Sequence, residues 1–441
     1  MSTYRSGAFN ANRGYDVFVT RGKRVLLLLV AAVLVPQLAW ANGASEAFSR
    51  TSLALILMIT LADACGFLFE RLGLPELVGE ISAGILLGNL ALLGIDFNFT
   101  ALLRDSEFMT YSSELALVLL LFLVGLESDM RDLLKVGRNA TTVAFAGVAL
   151  PVLLGLGTAT ALGINGGLQG WFVGAMLAAT SVGITAKLLE AQGKLKSPSG
   201  EVILGAAVID DVLGILLLAI LASVAASGEF QLSALAIIIA KAMLFFGGAI
   251  FIGQRLMPQM VHMVAITKHA SIWTGFAFCL ALGFAELASF AGLAPLIGAF
   301  VAGLLLDDVY FRVGATLQKH TLEELIRPIS DILISIFFVG VGAQVQLEVL
   351  ADSNILLTIA ALTTVAIVAK AAAGYMVKGE GFDRLGIGFG MVPRGEVGLV
   401  FAAFAFSHGI FMPRTYTALV MVVLLTTVIG PALLKPRLAR F

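Results

Sequence analysis

The chain has 441 residues, of which 59% are hydrophobic and 13% are charged. Soluble domains carry about 25% charged residues, so a soluble globular protein is excluded and a polytopic membrane protein is expected. The formal net charge of −1 gives no basis for nucleic-acid binding.

The chain opens with Arg21, Lys23 and Arg24 ahead of the apolar run Val25–Leu34, followed by Ala39-Trp40-Ala41, a small-residue pattern like a cleavage site. Residues 1–44 therefore read as a signal peptide or an additional transmembrane helix, and residues 45–441 as the membrane domain. Windows of about 20 apolar residues mark spans. They fall at 51–69, 77–93, 113–128, 140–163, 170–190, 201–226, 232–254, 270–291, 293–306, 328–346, 355–377, 385–407 and 415–434, thirteen in all, with 293–306 notably short. Cys65 and Cys279 both lie in apolar spans, so a disulfide framework is not expected.

Basic residues orient the spans. One set of alternate loops holds Arg131, Lys135 and Arg138, then Lys187, Lys194 and Lys196, then Arg312, Lys319 and Arg327, and finally Lys435, Arg437 and Arg440. The other set holds only Arg50, Arg104 and Arg414. This asymmetry predicts a cytoplasmic C-terminus.

The chain also resembles itself. Leu74–Leu87 aligns with Leu293–Leu306, with identities at Leu74, Leu77, Gly79, Ala83, Gly84, Leu86 and Leu87. Phe122-Leu123-Val124-Gly125 matches Phe337-Phe338-Val339-Gly340. The matched spans lie seven crossings apart, and an odd number reverses direction. Two inverted five-helix repeats, near 74–226 and 293–434, are the signature of a secondary transporter. Chance similarity between helices rich in Gly, Ala and Leu is the alternative.

Within the repeats, two spans carry interruptions. One contains Ala179-Thr180-Ser181-Val182-Gly183, the other Val392-Pro393-Arg394-Gly395-Glu396. Proline removes a backbone donor and glycine tolerates unwinding. If both helices break, their ends bring partial charges to one depth. Thr180 and Ser181 would offer oxygens there, although bonding to their own helix would satisfy them equally well.

The most informative residues are Asp210 and Asp211, adjacent acids inside the apolar run from Gly205 to Leu218. On insertion scales each charge at the centre of a span costs about 2.5–3.5 kcal/mol, so a span that keeps two uses them. Asp210 lies nine residues from Glu201 at the cytoplasmic end, a depth of about 14 Å at 1.5 Å per residue. Lys370 lies eight residues from Lys378 (about 12 Å), and Arg394 ten from Arg384 (about 15 Å). Asp210, Asp211, Lys370, Arg394 and Glu396 could thus meet near one plane. Neighbouring helical residues point about 100° apart, so one acid can pair with Lys370 while the other faces water. A purely structural ion-pair cluster is the alternative, and it leaves the second acid unexplained. Lys241, Glu286 and Asp63 read as structural or interface residues, as does Glu80, which could also line an entry funnel. His262, His269, His320 and His408 lie in or near loops.

Ile209-Asp210-Asp211-Val212, Val368-Ala369-Lys370, Val392-Pro393-Arg394-Gly395-Glu396-Val397-Gly398 and Gly79-Glu80-Ile81-Ser82-Ala83-Gly84 together resemble the monovalent cation:proton antiporter-2 family, nearest in pattern to its NapA-type sodium/proton antiporters. The resemblance runs from residue 51 to the end of the chain. It implies an all-α, thirteen-helix homodimer in which a core domain slides against a dimerisation domain. It implies Asp211 as the main sodium and proton carboxylate, Asp210 paired with Lys370, Thr180 and Ser181 beside the ion, and Arg394 and Glu396 in a supporting position. Relatives with a neutral residue at the Asp210 position tend to be electroneutral, so aspartate there implies electrogenic exchange. The chain stops at Phe441, so gating by a nucleotide-binding domain of the Kef type is not expected within it. The implied function is exchange of Na⁺ or Li⁺ for H⁺ across a bacterial inner membrane, in the service of pH homeostasis. Potassium/proton exchange and sodium-coupled symport of an organic anion are the alternatives, with a cation channel behind them. No cofactor is expected, and neither nucleophile motif nor phosphate loop suggests an enzyme.

Overall fold

A computed structural model describes residues 46–93, 107–127, 137–164, 167–227, 232–266, 269–306 and 322–441. The leader of residues 1–44 lies outside them, as do Arg104, Arg131, Lys135, Lys268, Arg312, Lys319 and His320. The described residues are helical throughout, without strands. That follows from the sequence, because an apolar segment in lipid must satisfy every backbone group internally.

The helices are α1 (Glu46–Arg71), α2 (Glu76–Gly88), α3 (Glu107–Glu127), α4 (Arg138–Ala161), α5 (Leu168–Ala178), α6 (Val182–Ala191), α7 (Pro198–Ser227) and α8 (Leu232–Ala265). They continue as α9 (Ala270–Phe290), α10 (Pro295–Leu305), α11 (Leu322–Ala343), α12 (Ser353–Gly374), α13 (Arg384–Gly390), α14 (Glu396–Ser407) and α15 (Pro413–Leu434). Among the described residues nine segments are long and apolar enough to cross a membrane. Three shorter apolar stretches, Met243–Gly253, Pro295–Leu305 and Glu396–Ser407, stand beside them.

Packing sorts the helices into two groups. In the first, α2 packs on α1 and α11, and α3 on α10 and α11, with α9 against α10. In the second, α4 packs on α5, α7 and α12, while α12 also carries α13 and α15 and α5 carries α14. Helix α8 touches α7 of the second group and α9 and α10 of the first.

Small residues let backbones meet in the first group, as expected where lipid supplies no hydrophobic drive between helices. A Cβ on Gly84 of α2 would strike the Val339 carbonyl of α11, and one on Gly342 would strike the Ile81 carbonyl. A second crossing has the same design. A Cβ on Gly303 of α10 would strike the Phe122 carbonyl of α3, and one on Gly125 would strike the Phe300 carbonyl. The turns before α2 and α10 also match. Gly73 (φ 76°) and Gly292 (φ 75°) occupy the left-handed region that glycine adopts without penalty, and Leu74 and Leu293 each donate to a carbonyl five residues back at 2.9 Å.

Gly303→Ala is expected to lower thermal stability in detergent by about 1–3 kcal/mol, because the contact is backbone and cannot yield. Gly247→Ala in α8, where a Cβ meets nothing within 4 Å, is the matched control and leaves stability intact. Equal stability of the two variants would contradict this account of the crossing.

Candidate ion-binding site

The site forms where two helices of the second group break. α5 ends at Ala178 and α6 begins at Val182, while α13 ends at Gly390 and α14 begins at Glu396. The extended segments between them cross. The Ser181 amide donates to the Pro393 carbonyl at 2.8 Å, joining one break to the other. Across the same crossing Thr180 Oγ1 donates to the Met391 carbonyl (3.3 Å) and Thr185 Oγ1 to the Gly390 carbonyl (2.7 Å). Gly395 permits the approach, since a Cβ there would lie 2.7 Å from Ser181 Oγ. Two helix N-termini and two C-termini therefore converge, with their opposite partial charges.

Asp210 and Lys370 lie beside this crossing. Lys370 Nζ stands 3.3 Å from Asp210 Oδ2 and 3.5 Å from Oδ1, and both side chains are buried. Thr180 lies beside the Asp210 carboxylate as well. Gly147 of α4 faces the lysine, and a Cβ there would stand 3.5 Å from Nζ, an ordinary contact. Asp211, the next residue of α7, is half-buried rather than sealed, and its charge acts on Lys370. The two acids thus separate as the 100° helical step requires.

Arg394 is fully buried at the second break. It does not reach a carboxylate. Its Nη1 donates to the Val392 carbonyl at 3.0 Å and its Nη2 to the Leu177 carbonyl near the end of α5, while its charge acts on Asp210 through space. Thr427 of α15 donates to the Arg394 carbonyl. Glu396 begins α14. It is half-buried in the first turn of α14 and bonds its own backbone amide, as an acid at a helix N-terminus does.

Asp210, Lys370 and Thr180 are thus brought together, with Ser181 in the adjoining crossing and Asp211 and Arg394 at their edge. Thr185, Thr427 and Gly147 are parts of the site that depth arithmetic does not single out. The position of Thr185, one turn beyond Ser181, is the only sequence signal for any of them.

Outside this cluster Glu80 accepts from Ser335 Oγ at 2.5 Å in a buried α2–α11 contact. Lys241, Glu286, His262, His269 and His408 are exposed.

Comparison with known proteins adds the family. The model for the transmembrane sodium/hydrogen exchanger matches residues 51–440. The chain belongs to the sodium/hydrogen exchanger family. Among similar exchangers, the high-affinity Na⁺/H⁺ antiporter NhaS3 of Synechocystis sp. is 35% identical over 416 residues, covering 87% of this chain and 88% of its own. The Na⁺/H⁺-K⁺ antiporter GerN of Bacillus cereus is 33% identical over 388 residues, covering 87% and 94%. In three dimensions this exchanger is similar to the sodium proton antiporter MjNhaP1 of Methanocaldococcus jannaschii, with a TM-score of 0.62 at 18% identity over 88% of this chain and 97% of that one. At that identity the likeness speaks for the fold.

Proposed function

We propose that this protein is a secondary transporter that exchanges sodium for protons across a membrane by alternating access. The observation that carries the reading is a half-buried carboxylate, Asp211, beside a sealed Asp210–Lys370 pair where two broken helices cross. Hard monovalent cations take oxygen ligands, and Asp211, Thr180, Ser181 and water supply them. A bare carboxylate in a dry barrier is costly. A cation or a proton reduces that cost, so the loaded site crosses and the empty one does not. Because both compete for the same oxygens, binding of one opposes the other, and alternating access turns that opposition into antiport. Lys370 balances Asp210 when protonated, and loss of a second proton from this pair as sodium binds makes the cycle electrogenic. Arg394 ties one break to the other, and Glu396 stabilises the start of α14.

The architecture that suits this cycle has thirteen crossings, with α5–α6 and α13–α14 each counted as one, arranged as two inverted repeats within residues 45–441. The paired crossings of α2 with α11 and α3 with α10 support the repeat. The register they favour pairs Gly125 with Gly342, two residues on from the Phe122–Gly125 and Phe337–Gly340 match. In this reading the second group of helices is the moving core and the first the dimerisation domain of a homodimer. The C-terminus is cytoplasmic and residues 1–44 precede the exchanger domain. The name of GerN supports potassium as a second cation.

Proton flux in proteoliposomes, titrated with Na⁺, Li⁺ and K⁺ across pH, tests the proposal. Sodium or lithium is expected to drive proton movement, with an apparent KM that rises as pH falls, in a simple competition approaching tenfold per pH unit for each proton displaced. No cation-driven proton flux, or ion currents far above carrier turnover, would refute it.

A further inference from the structure

At the cytoplasmic end of the second group, a polar node ties three elements together. Arg437, in the final turn at Lys435–Arg440, donates from Nε to Asp383 Oδ2 at 2.8 Å and from Nη2 to Oδ1. This is the two-pronged geometry that makes arginine–carboxylate pairs strong and directional. Asp383 is buried and caps α13, accepting the Gly386 amide at 3.1 Å, while its own amide donates to Ser199 Oγ at 3.1 Å. Ser199 is fully buried in the first turn of α7, the helix that carries Asp210.

From this node α13 runs straight to the site. It has seven residues, about 10 Å of rigid helix. Its backbone lies against that of Lys370, since a Cβ on Gly388 would stand 2.8 Å from the Lys370 carbonyl. Its last residue lies against α7, where a Cβ on Gly390 would stand 2.5 Å from Ile203 Cδ1, two turns before Asp210. The short helix is therefore wedged between the backbone that bears Lys370 and the Ile203 side chain of the helix that bears Asp210. Through the backbone contact at Gly388, a shift at Asp383 is passed to the segment of α12 that carries Lys370.

We propose that the Arg437–Asp383–Ser199 node is a positioning clamp that sets the separation of Lys370 and Asp210 through α13, and with it the affinity of the exchanger for sodium. The inference rests on the ion-exchange reading above. None of the three clamp residues touches the ion. Ser199 lies 11 residues from Asp210, about 16 Å along α7.

Sodium-dependent proton flux of the full chain in proteoliposomes tests it, with Arg437→Gln, Arg437→Lys and Asp383→Asn as variants. Asparagine still caps a helix, so Asp383→Asn removes the ion pair while keeping the cap. Arg437→Gln and Asp383→Asn are each expected to raise the apparent KM for sodium about fivefold or more and to shift the pH profile, with maximal turnover changing less. The double variant should match the single ones, because both remove one interaction. Arg437→Lys, which keeps the charge but not the fork, should fall between them and wild type. Arg414→Gln breaks the exposed Arg414–Asp352 pair and serves as a control with unchanged kinetics.

Lower thermal stability with wild-type KM and pH profile would reduce the node to a structural tie and overturn the proposal, as would additive single effects. If Asp383→Asn fails to fold, the two Arg437 variants decide alone. A wild-type protein without sodium-driven proton flux would instead overturn the exchange reading itself.

Discussion

Asp211→Asn is expected to reduce sodium-driven proton movement in everted membrane vesicles to the level of empty vesicles. Asparagine has the shape of aspartate, so the half-buried position on α7 still packs. The change removes the negative charge that attracts a cation and the oxygen that takes a proton. Both halves of the exchange fail together, because both ligands use one carboxylate. Asp211→Glu retains the charge on a longer arm and should keep reduced activity. Asp210→Asn should still exchange ions. Full activity in Asp211→Asn would move the ion site elsewhere.

The second large effect concerns the sealed pair. Lys370→Ala leaves Asp210 buried without its partner, and breaking a buried ion pair this way costs about 3–5 kcal/mol. Removing both charges with Asp210→Asn and Lys370→Met is expected to restore most of that stability, since replacing a buried pair is often neutral. The same double variant should lose transport current while retaining ion flux, because the pair that supplies the second proton of the cycle is gone. Thermal denaturation reads the first result, and current per transported ion on a solid-supported membrane reads the second. An unchanged current per ion would show that the pair does not set the charge movement. A double variant as unstable as Lys370→Ala would show that the lysine supports the fold by packing rather than by charge.

Much of the site is legible before any coordinates, because charge inside lipid is costly. Asp210 and Asp211 stand out in a run from Gly205 to Leu218 that holds no other polar group. Lys370 is level with both aspartates by its depth along α12, which leaves the choice of partner open, and the pair forms with Asp210 at 3.3 Å. Pro393 and its flanking glycine mark one break, and Thr180-Ser181 the other, both where the helices end.

Arg394 and Glu396 show where that reasoning stops. Depth places them level with the aspartates but says nothing of direction. Arg394 turns to the carbonyls of Val392 and Leu177, and Glu396 to the first turn of its own helix. An unwound segment leaves backbone groups without intrahelical partners, and these take up polar side chains that composition alone would assign to an ion.

The amino-acid sequence by itself determined the membrane class, the depth of the charges and the sites of helix interruption, because each depends on short stretches of chain and on the cost of placing polar groups in hydrocarbon. Tertiary structure decided which of two adjacent acids is sealed, how the Ser181 amide meets the Pro393 carbonyl, and that Arg437 reaches Asp383 from the far end of the chain. Those outcomes depend on the rotation and register of packed helices. A turn of 100° or a shift of one residue changes every partner while leaving the hydropathy pattern as it was.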